Sequence, residues 1–406
     1  MATRTRVISQ NKAVYVTPTG WNEYAGAGTP LTGNSMVTGH HLHRVDTFSF
    51  EMDLAGARQD VREFGQLARI GTVNLTEVNP TLSFGYYLGD GENELALGLT
   101  KSKAGAGGFT GQMCSGQLTE DDILKERNVF LLTIAEGEDA FAETNATMVA
   151  NQNNHDVVGF GNCFLSSYSA NFSVGEIPRA DVEMQASNVV FYTGIYSGLI
   201  NPSLNLEGER THTGIVKLPA PDTGTAVPLV LRPQDVTVSF DHGADGVSKI
   251  GGPIFSDLPI QSASIELPLA REVIEALGNE LAYAKLLEFP IDVTMNISSL
   301  TRDFASGALE YALTGTAENN KTSITLNVKD EGVDQLQYIL SGAILDSQSF
   351  SQGLDDNETV DLTFSAQIGG ASTTDQGLFF FPEANVPSFS VASGTNNKAA
   401  SLSMKY

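Results

Sequence analysis

Residues 48–54 read FSFEMDL, a strict alternation of apolar and polar side chains. A two-residue period is typical of a β-strand that buries one side and exposes the other. The same alternation recurs at 72–76, 180–185, 236–241, 262–267 and 359–365. Together the six segments predict a mainly β protein with few helices.

The two halves of the chain resemble one another. Residues Thr47–Glu51 recur as Thr237–Asp241, and residues 70–75 recur as 260–265 at the same offset. Later matches, such as 172–175 with 350–353, keep the same order along the chain. A long-period duplication of strand patterns predicts two similar units that present similar surfaces to neighbouring molecules.

The length of 406 residues suits two domains, each with its own core. We expect two tandem β domains, each with a short helix. Thr119 with Asp122 resembles the start of a short helix through Arg127, and Pro268 opens a second helical pattern that ends near Phe289. Clustered prolines mark a linker between the halves. The predicted boundaries are an N-terminal arm at 1–43, domains at 44–200 and 235–370, a Pro-rich linker at 201–234 and a C-terminal extension at 371–406.

Composition excludes several classes of function. The formal net charge of −25 argues against nucleic-acid binding by phosphate neutralisation, which needs clustered Lys and Arg. The start of the chain lacks an apolar secretory segment, and no stretch is long enough for a membrane span, so we expect synthesis in the cytosol and no membrane partner. In that compartment Cys114 and Cys163 are expected to be buried free thiols rather than a disulfide.

Catalytic and metal-binding signatures are weak. The chain has no nucleophile elbow, zinc-protease motif or P-loop, so we predict no enzyme activity and no cofactor. His40, His41 and His43 with Asp46 have some metal-binding chemistry, but their spacing equally suits a solvent-facing strand edge, and no metal site is predicted. Asp181 and Glu183 lie two apart on one strand face, which gives no distinct acid and base for hydrolysis.

The polar faces of the six strands share one chemistry. Their charged members are all acidic, and the rest are mainly hydroxyl or amide side chains. Such a surface offers phosphates no ion pair and repels them over about a Debye length, roughly 10 Å. The candidate residues of a wall along which DNA slides are Glu51, Asp53, Thr72, Asn74, Asp181, Glu183, Asp241, Ser262, Ser264, Glu266 and Asp361.

Residues 164–178, FLSSYSANFSVGEIP, resemble the strand–turn–strand of bacteriophage tail tube proteins. The order of each half, with its Pro-led strand and closing hairpin, is also similar to that of major tail tube proteins of long non-contractile tails with two fused tube domains. The resemblance implies tail-tube-like β-sandwich domains, each with a flanking helix, whose inner sheets join between subunits into a barrel. Three chains would form a pseudo-sixfold ring, and stacked rings would conduct DNA during ejection.

The resemblance also implies location and partners. The chain would be assembled in the bacterial host cytoplasm and reside in the virion tail. Its partners would be copies of itself, the tape measure, terminator and distal tail proteins, and DNA in transient non-specific passage. The terminal extensions would bridge rings. Independently of the resemblance, three adjacent aromatics on a polar tail, Phe379–Phe381, favour docking on the same or a neighbouring subunit over a ligand site. An alternative is a phage fibre, decoration or adhesive carbohydrate-binding β-sandwich, for which Trp21 and scattered tyrosines would serve.

Overall fold

Antiparallel β-strands make up most of the described part of this chain. The computed structural model describes residues 11–18, 35–53, 58–74, 79–99, 112–113, 126–134, 140–142, 155–193, 199–203, 215–221, 231–241, 259–274, 277, 284–300, 322–330, 333–351, 359–369, 376–382 and 391–393. Within these ranges the protein is mainly β, as the alternating segments predict, and all six of those segments overlap described strands. No described helix is long and apolar enough to cross a membrane.

The strands are numbered in chain order. They are β1 (Lys12–Pro18), β2 (Ser35–Thr38), β3 (His40–His41), β4 (Val45–Glu51), β5 (Arg58–Val61), β6 (Gly71–Asn74), β7 (Thr81–Tyr87), β8 (Gln112–Met113), β9 (Arg127–Thr133), β10 (Asp156–Ser173), β11 (Arg179–Gln185), β12 (Asn188–Thr193), β13 (Leu199–Ile200), β14 (Ile215–Lys217), β15 (Val236–Asp241), β16 (Ile260–Pro268), β17 (Arg271–Ile274), β18 (Ala284–Leu287), β19 (Asp292–Leu300), β20 (Thr322–Asp330), β21 (Val333–Ser351), β22 (Thr359–Gln367), β23 (Gly377–Pro382) and β24 (Val391–Ser393). The described α-helix, α1, spans Glu92–Leu97.

Eight strands form one continuous antiparallel layer in the order β21–β22–β19–β16–β10–β11–β7–β4. We call it the eight-stranded layer. Strands β10 and β21 are long, and only their C-terminal parts belong to it. Their N-terminal parts run into a second layer, where β10 pairs with β9 and β12, and β21 pairs with β20 and β23.

The main core lies between these two layers. The eight-stranded layer contributes buried residues such as Phe84 and Phe364, and the second layer contributes Phe160 and Leu326. Burial of each such side chain stabilises the fold by roughly 1.5–3 kcal/mol. A second, smaller cluster around Tyr15 fills the other side of β1 and β9. The two layers therefore bury most of the alternating apolar positions that the sequence marks.

The halves of the structure repeat the same strand order, and β-bulges fix their alignment. Register shifts occur at Val45/Thr47 in β4 and at Ile260/Ser262 in β16. They occur again at Leu165/Ser167 in β10 and at Leu345/Ser347 in β21. The matched elements are β1 with β15, β4 with β16, the β5–β6 hairpin with the β17–β18 hairpin, β7 with β19, β9 with β20, β10 with β21, β11 with β22 and β12 with β23.

This alignment corrects the one read from the sequence. Strand β15, which the sequence pattern matched to 47–51, is the equivalent of β1, since both strands flank the second layer. The structural equivalent of β4 is β16. Alternation is common to all half-buried strands, so the sequence match detected the shared period and not the position in the fold.

Two further predictions are wrong. The helix predicted from Pro268 to Phe289 is the β17–β18 hairpin, whose Arg271 donates to the Leu165 carbonyl at 3.0 Å. Residues 11–18 are not part of a free arm, because β1 is buried and pairs with β9 and β3. The helix predicted from Thr119 lies largely outside the described residues, and Arg127, its predicted end, begins β9.

Segments from the predicted arm, linker and extension meet in one small sheet. Its order is β13–β14–β2–β24, and Val216 and Leu199 pack into the second core cluster. The Phe379–Phe381 run lies in β23 of the same subunit, where the Phe380 ring packs edge-on against Tyr168 and Tyr338. Cys163 is a buried free thiol, and Cys114 lies outside the described residues.

Candidate functional site: the polar face of the eight-stranded layer

One side of the eight-stranded layer is mainly polar. Residues paired directly across antiparallel strands point to the same side of a sheet. One such row joins Thr47, Gly85, Asp181, Ser169, Glu266, Thr294 and Ser365, and on β21 it ends at the apolar Ile344. The next row joins Tyr87, Arg179, Asn171, Ser264, Asn296, Thr363 and Ser347. We call this side the polar face.

Neighbouring hydroxyl and amide groups on the polar face bond to each other. Ser49 and Ser83 approach to 2.6 Å, and the Ser351 and Thr359 hydroxyls also lie 2.6 Å apart. Asn296 donates to Ser264 at 3.4 Å. These lateral bonds hold short polar side chains close to the sheet, so the surface is hydrophilic without long flexible groups.

The acidic residues of the polar face outnumber its single base. Its acids are Glu51, Asp181, Glu183, Glu266, Asp292 and Asp361. Within the eight strands the basic residue is Arg179, whose guanidinium lies 2.7 Å from Asp46 and 3.0 Å from Asp181. Gly85 permits this arrangement, because a side chain there would collide with the guanidinium. The expectation of an acid-only surface is therefore wrong at Arg179, although that charge is compensated by two carboxylates.

The polar face collects seven of the predicted wall residues: Glu51, Asp181, Glu183, Ser262, Ser264, Glu266 and Asp361. Asp53 is exposed just beyond the end of β4. Thr72 and Asn74 lie instead on the separate β5–β6 hairpin. Asp241 pairs with Ser323 in the second layer, on the other side of the core. Those last three residues do not lie on the polar face, because alternation shows which side of a strand is polar but not which sheet the strand joins.

Sequence reasoning missed much of the polar face. Strand β19 contributes Thr294, Asn296 and Ser298, and β10 contributes Ser167 and Ser169. Both sets alternate with buried Val, Met, Ile, Tyr or Ala residues, so the signal is present in the sequence. Arg179 was missed because it begins β11 one residue before the predicted start.

Both outer edges of the eight-stranded layer present apolar side chains. Among the described residues, β4 pairs only with β7, and the 344–351 part of β21 pairs only with β22. Phe50 on β4 is 38% exposed and Phe350 on β21 is 42% exposed. A sheet edge with exposed aromatics is normally covered or blunted in a monomer. These edges are therefore candidate sites for another strand.

A buried carboxyl group joins the two halves beneath the polar face. Glu94 on α1 accepts hydrogen bonds from Tyr86 at 2.9 Å and Tyr168 at 3.2 Å, and the Tyr168 and Tyr338 hydroxyls lie 2.8 Å apart. Burial raises the pKa of Glu94 and of all three tyrosines. None of the four is accessible to solvent, so the cluster joins α1, β7 and β10 to β21 and offers no access to a substrate.

The structure does not place the three histidines together with Asp46, nor all of them on a solvent-facing strand edge. Asp46 contacts Arg179. His41 is buried against Tyr15 and Phe141. His40 and His43 instead lie 3.7 Å and 3.5 Å from the carboxylate of Glu92.

No protein-family model matches the chain, and no curated protein matches it significantly. The functional conclusion therefore depends on the geometry of the polar face and its edges. Trp21, the aromatic residue considered for sugar binding, lies outside the described residues.

Proposed function

We propose that this chain is the repeating subunit of a bacteriophage tail tube. In this proposal three copies close into a ring, the rings stack, and the polar face lines the channel through which DNA leaves the particle. The protein is a structural component of the virion tail, and tail proteins of the tape-measure, terminator and distal-tail kinds contact its stacked rings. The observation that carries the proposal is a polar eight-stranded layer whose two outer edges pair with no further strand among the described residues.

The chain contains an internal template for the junction between subunits. Strand β10 of the first half pairs with β16 of the second half, from Ser167 opposite Pro268 to Ser173 opposite Ser262. Strand β21 is equivalent to β10, and β4 is equivalent to β16. The open edge of β21 can therefore pair with the open edge of β4 in the next copy, just as β10 pairs with β16. Such head-to-tail contacts generate a closed ring when the rotation fits.

The register of the internal junction predicts which residues meet between subunits. Ala170 pairs with Ile265 at the internal junction. In the bulge alignment Phe350 is the equivalent of Ala170, and Phe50 is the equivalent of Ile265. Phe350 should therefore lie opposite Phe50 of the next copy. Both rings point to the core side of the sheet, and Phe50 already packs edge-on against Phe160 at 5.2 Å. Two partly exposed aromatics would become buried cross-strand neighbours, worth roughly 0.2–1 kcal/mol beyond the area that they bury.

The hairpins support the same junction. The β17–β18 hairpin packs across the internal junction, where Lys285 donates to the Ala186 carbonyl at 3.1 Å and Arg271 lies 5.0 Å from the Phe164 ring. Its equivalent, the β5–β6 hairpin, exposes Val61, Ile70 and Val73. An apolar hairpin surface of this kind is expected to be covered in the assembled state. In the ring, the β5–β6 hairpin is covered by the neighbouring subunit, just as the β17–β18 hairpin is covered within one chain.

The size of the barrel favours three subunits. Three layers of eight strands, spaced about 4.8 Å apart and tilted, close into a barrel with a backbone diameter of roughly 40–50 Å. Inward side chains occupy about 10 Å of this, which leaves enough space for a duplex about 20 Å wide. Two subunits would leave only roughly 17–23 Å by the same geometry, which is about the width of the duplex itself. Three is thus the smallest number that leaves clearance around duplex DNA.

Electron microscopy of the purified full chain tests the proposal. We expect rings or tubes with a central channel of about 30–40 Å, the diameter that the strand geometry gives. Threefold averages should show the sheet continuing between subunits. Particles without a channel, or a protein that stays monomeric at high concentration and under conditions that favour polymerisation, would contradict the proposal.

A further inference from the structure

Two histidines and a glutamate converge at the junction of β3 and α1. The Nε2 atom of His40 lies 3.7 Å from one carboxylate oxygen of Glu92, and the Nε2 atom of His43 lies 3.5 Å from the other. Each residue has one potential ligand atom, and these three atoms all lie within 4.8 Å of one another. The three side chains are between 12% and 27% exposed, so they are partly enclosed but reachable from solvent.

We infer that His40, His43 and Glu92 form a binding site for a divalent transition-metal ion of the zinc type. Zinc binds imidazole nitrogen and carboxylate oxygen at about 2.0–2.2 Å, so ligand atoms in a tetrahedral site lie about 3.4 Å apart. The imidazole nitrogens lie 3.7 Å (His40) and 3.5 Å (His43) from the Glu92 oxygens, each from a different oxygen, and both distances are close to that value. Two histidines and one carboxylate leave a fourth position for water. This inference does not depend on the proposed function.

The surroundings hold the ligands in place. Asn93 accepts a hydrogen bond from the His43 backbone amide at 2.9 Å and donates to the His43 carbonyl at 2.8 Å. Asn93 directly follows Glu92, so this double bond fixes the two ligand-bearing segments relative to each other. Arg44, next to His43, has φ of +60° and bonds to Asp90 at 3.3 Å. Non-glycine residues rarely adopt this backbone region, and they often do so at functional sites.

The donor atoms of the site suit a transition-metal ion. Two imidazole nitrogens and one carboxylate lie together at the site. Nitrogen ligands favour Zn²⁺ over Mg²⁺ or Ca²⁺, which prefer oxygen.

Zinc titration of the metal-free full chain against a chromophoric chelator tests the site. We expect about one Zn²⁺ per chain, no displacement by Mg²⁺ or Ca²⁺, and a Co²⁺ absorption spectrum of low coordination number. His43→Ala and the isosteric Glu92→Gln should each weaken binding roughly tenfold or more, since loss of a ligand should cost at least as much as loss of a supporting hydrogen bond. Glu183→Gln, which makes the same Glu-to-Gln change at an exposed position on the polar face, is the control and should bind as wild type does.

Circular dichroism of the metal-free proteins separates loss of the site from loss of folding. Glu92→Gln keeps the size of the side chain, so it should fold as wild type does. Zinc binding that is equal in the wild type and in folded Glu92→Gln, or a wild type that binds no stoichiometric zinc, would overturn the inference. Tube formation is measured separately and has no bearing on either result.

Discussion

The hydroxyl groups around Glu94 form a directional chain. Tyr168 donates its single hydroxyl proton to Glu94, so the 2.8 Å contact with Tyr338 requires Tyr338 to donate to Tyr168. Tyr86 donates to the same Glu94 oxygen from the other side. Every hydroxyl proton in this buried cluster therefore has an acceptor, as a buried polar group requires.

The direction of these hydrogen bonds predicts that substitutions of Tyr168 and Tyr338 have unequal effects. Tyr338→Phe removes one hydrogen bond and should lower the free energy of unfolding by about 1 kcal/mol. Tyr168→Phe also leaves the buried Tyr338 hydroxyl without an acceptor, which should lower the free energy of unfolding by roughly 1–3 kcal/mol more. The double variant should be less destabilised than the sum of the two. Urea denaturation of all four proteins measures this, and equal effects of the single variants would argue against the assigned direction.

Glu94 should make stability depend on pH. Burial outweighs the tyrosine hydrogen bonds and the charge of Arg44, and raises the pKa of Glu94 above its ordinary value of 4.5. The folded chain then holds a proton that the unfolded chain releases, so stability falls as pH rises from about 4.5 towards the folded pKa. Glu94→Gln cannot ionise, so it should gain stability relative to wild type across that window.

Denaturation midpoints measured between about pH 4 and pH 8 test this relation. Glu183→Gln is the matched control, because it removes the same charge from an exposed position on the polar face. A Glu94→Gln profile that runs parallel to the wild-type and control profiles would show that the buried carboxyl does not retain its proton.

At the scale of single elements, the edge of β21 carries the proposed assembly. Phe350→Glu places a charge where the Phe50 ring of the next copy should pack, and burying an unpaired charge is strongly unfavourable. We expect folded, soluble subunits that form no rings, measured by light scattering and electron microscopy. Phe289→Glu is the control, because Phe289 is 43% exposed and lies outside the sheet edges. Rings formed by Phe350→Glu, or lost equally in both variants, would exclude the proposed register.

Strands were predictable from this sequence because alternation is a local signal. The pairing of strands was not, because register depends on bulges and on neighbours far along the chain. The β17–β18 segment shows the difference: its apolar spacing suits a helix, but contacts from Arg271 to Leu165 and from Lys285 to Ala186 hold it as a hairpin. Glu92 beside His43 was equally beyond prediction, since only the fold brings α1 to β3.

At the scale of the whole molecule, the proposed channel wall has an excess of acid over base. Asp181 is compensated by Arg179, so the uncompensated charge on the polar face comes mainly from residues such as Glu183, Glu266 and Asp361. A phosphate backbone passing this wall meets hydroxyls and carboxylates but few cations. Replacing carboxylates with lysines would create phosphate-binding sites along the path, and each occupied site would release counterions.

The triple variant Glu183→Lys, Glu266→Lys and Asp361→Lys should therefore fold and assemble but retain DNA. We expect DNA release from particles built with it to slow by roughly tenfold or more at low salt and by less at high salt. A second triple variant, Asp156→Lys, Glu288→Lys and Asp334→Lys, makes the same change in net charge at exposed positions outside the polar face. If both variants slowed release equally, net charge alone would be responsible. If the first assembled normally and released DNA at the wild-type rate, the polar face would not line the channel, because lysines facing a passing duplex must bind it.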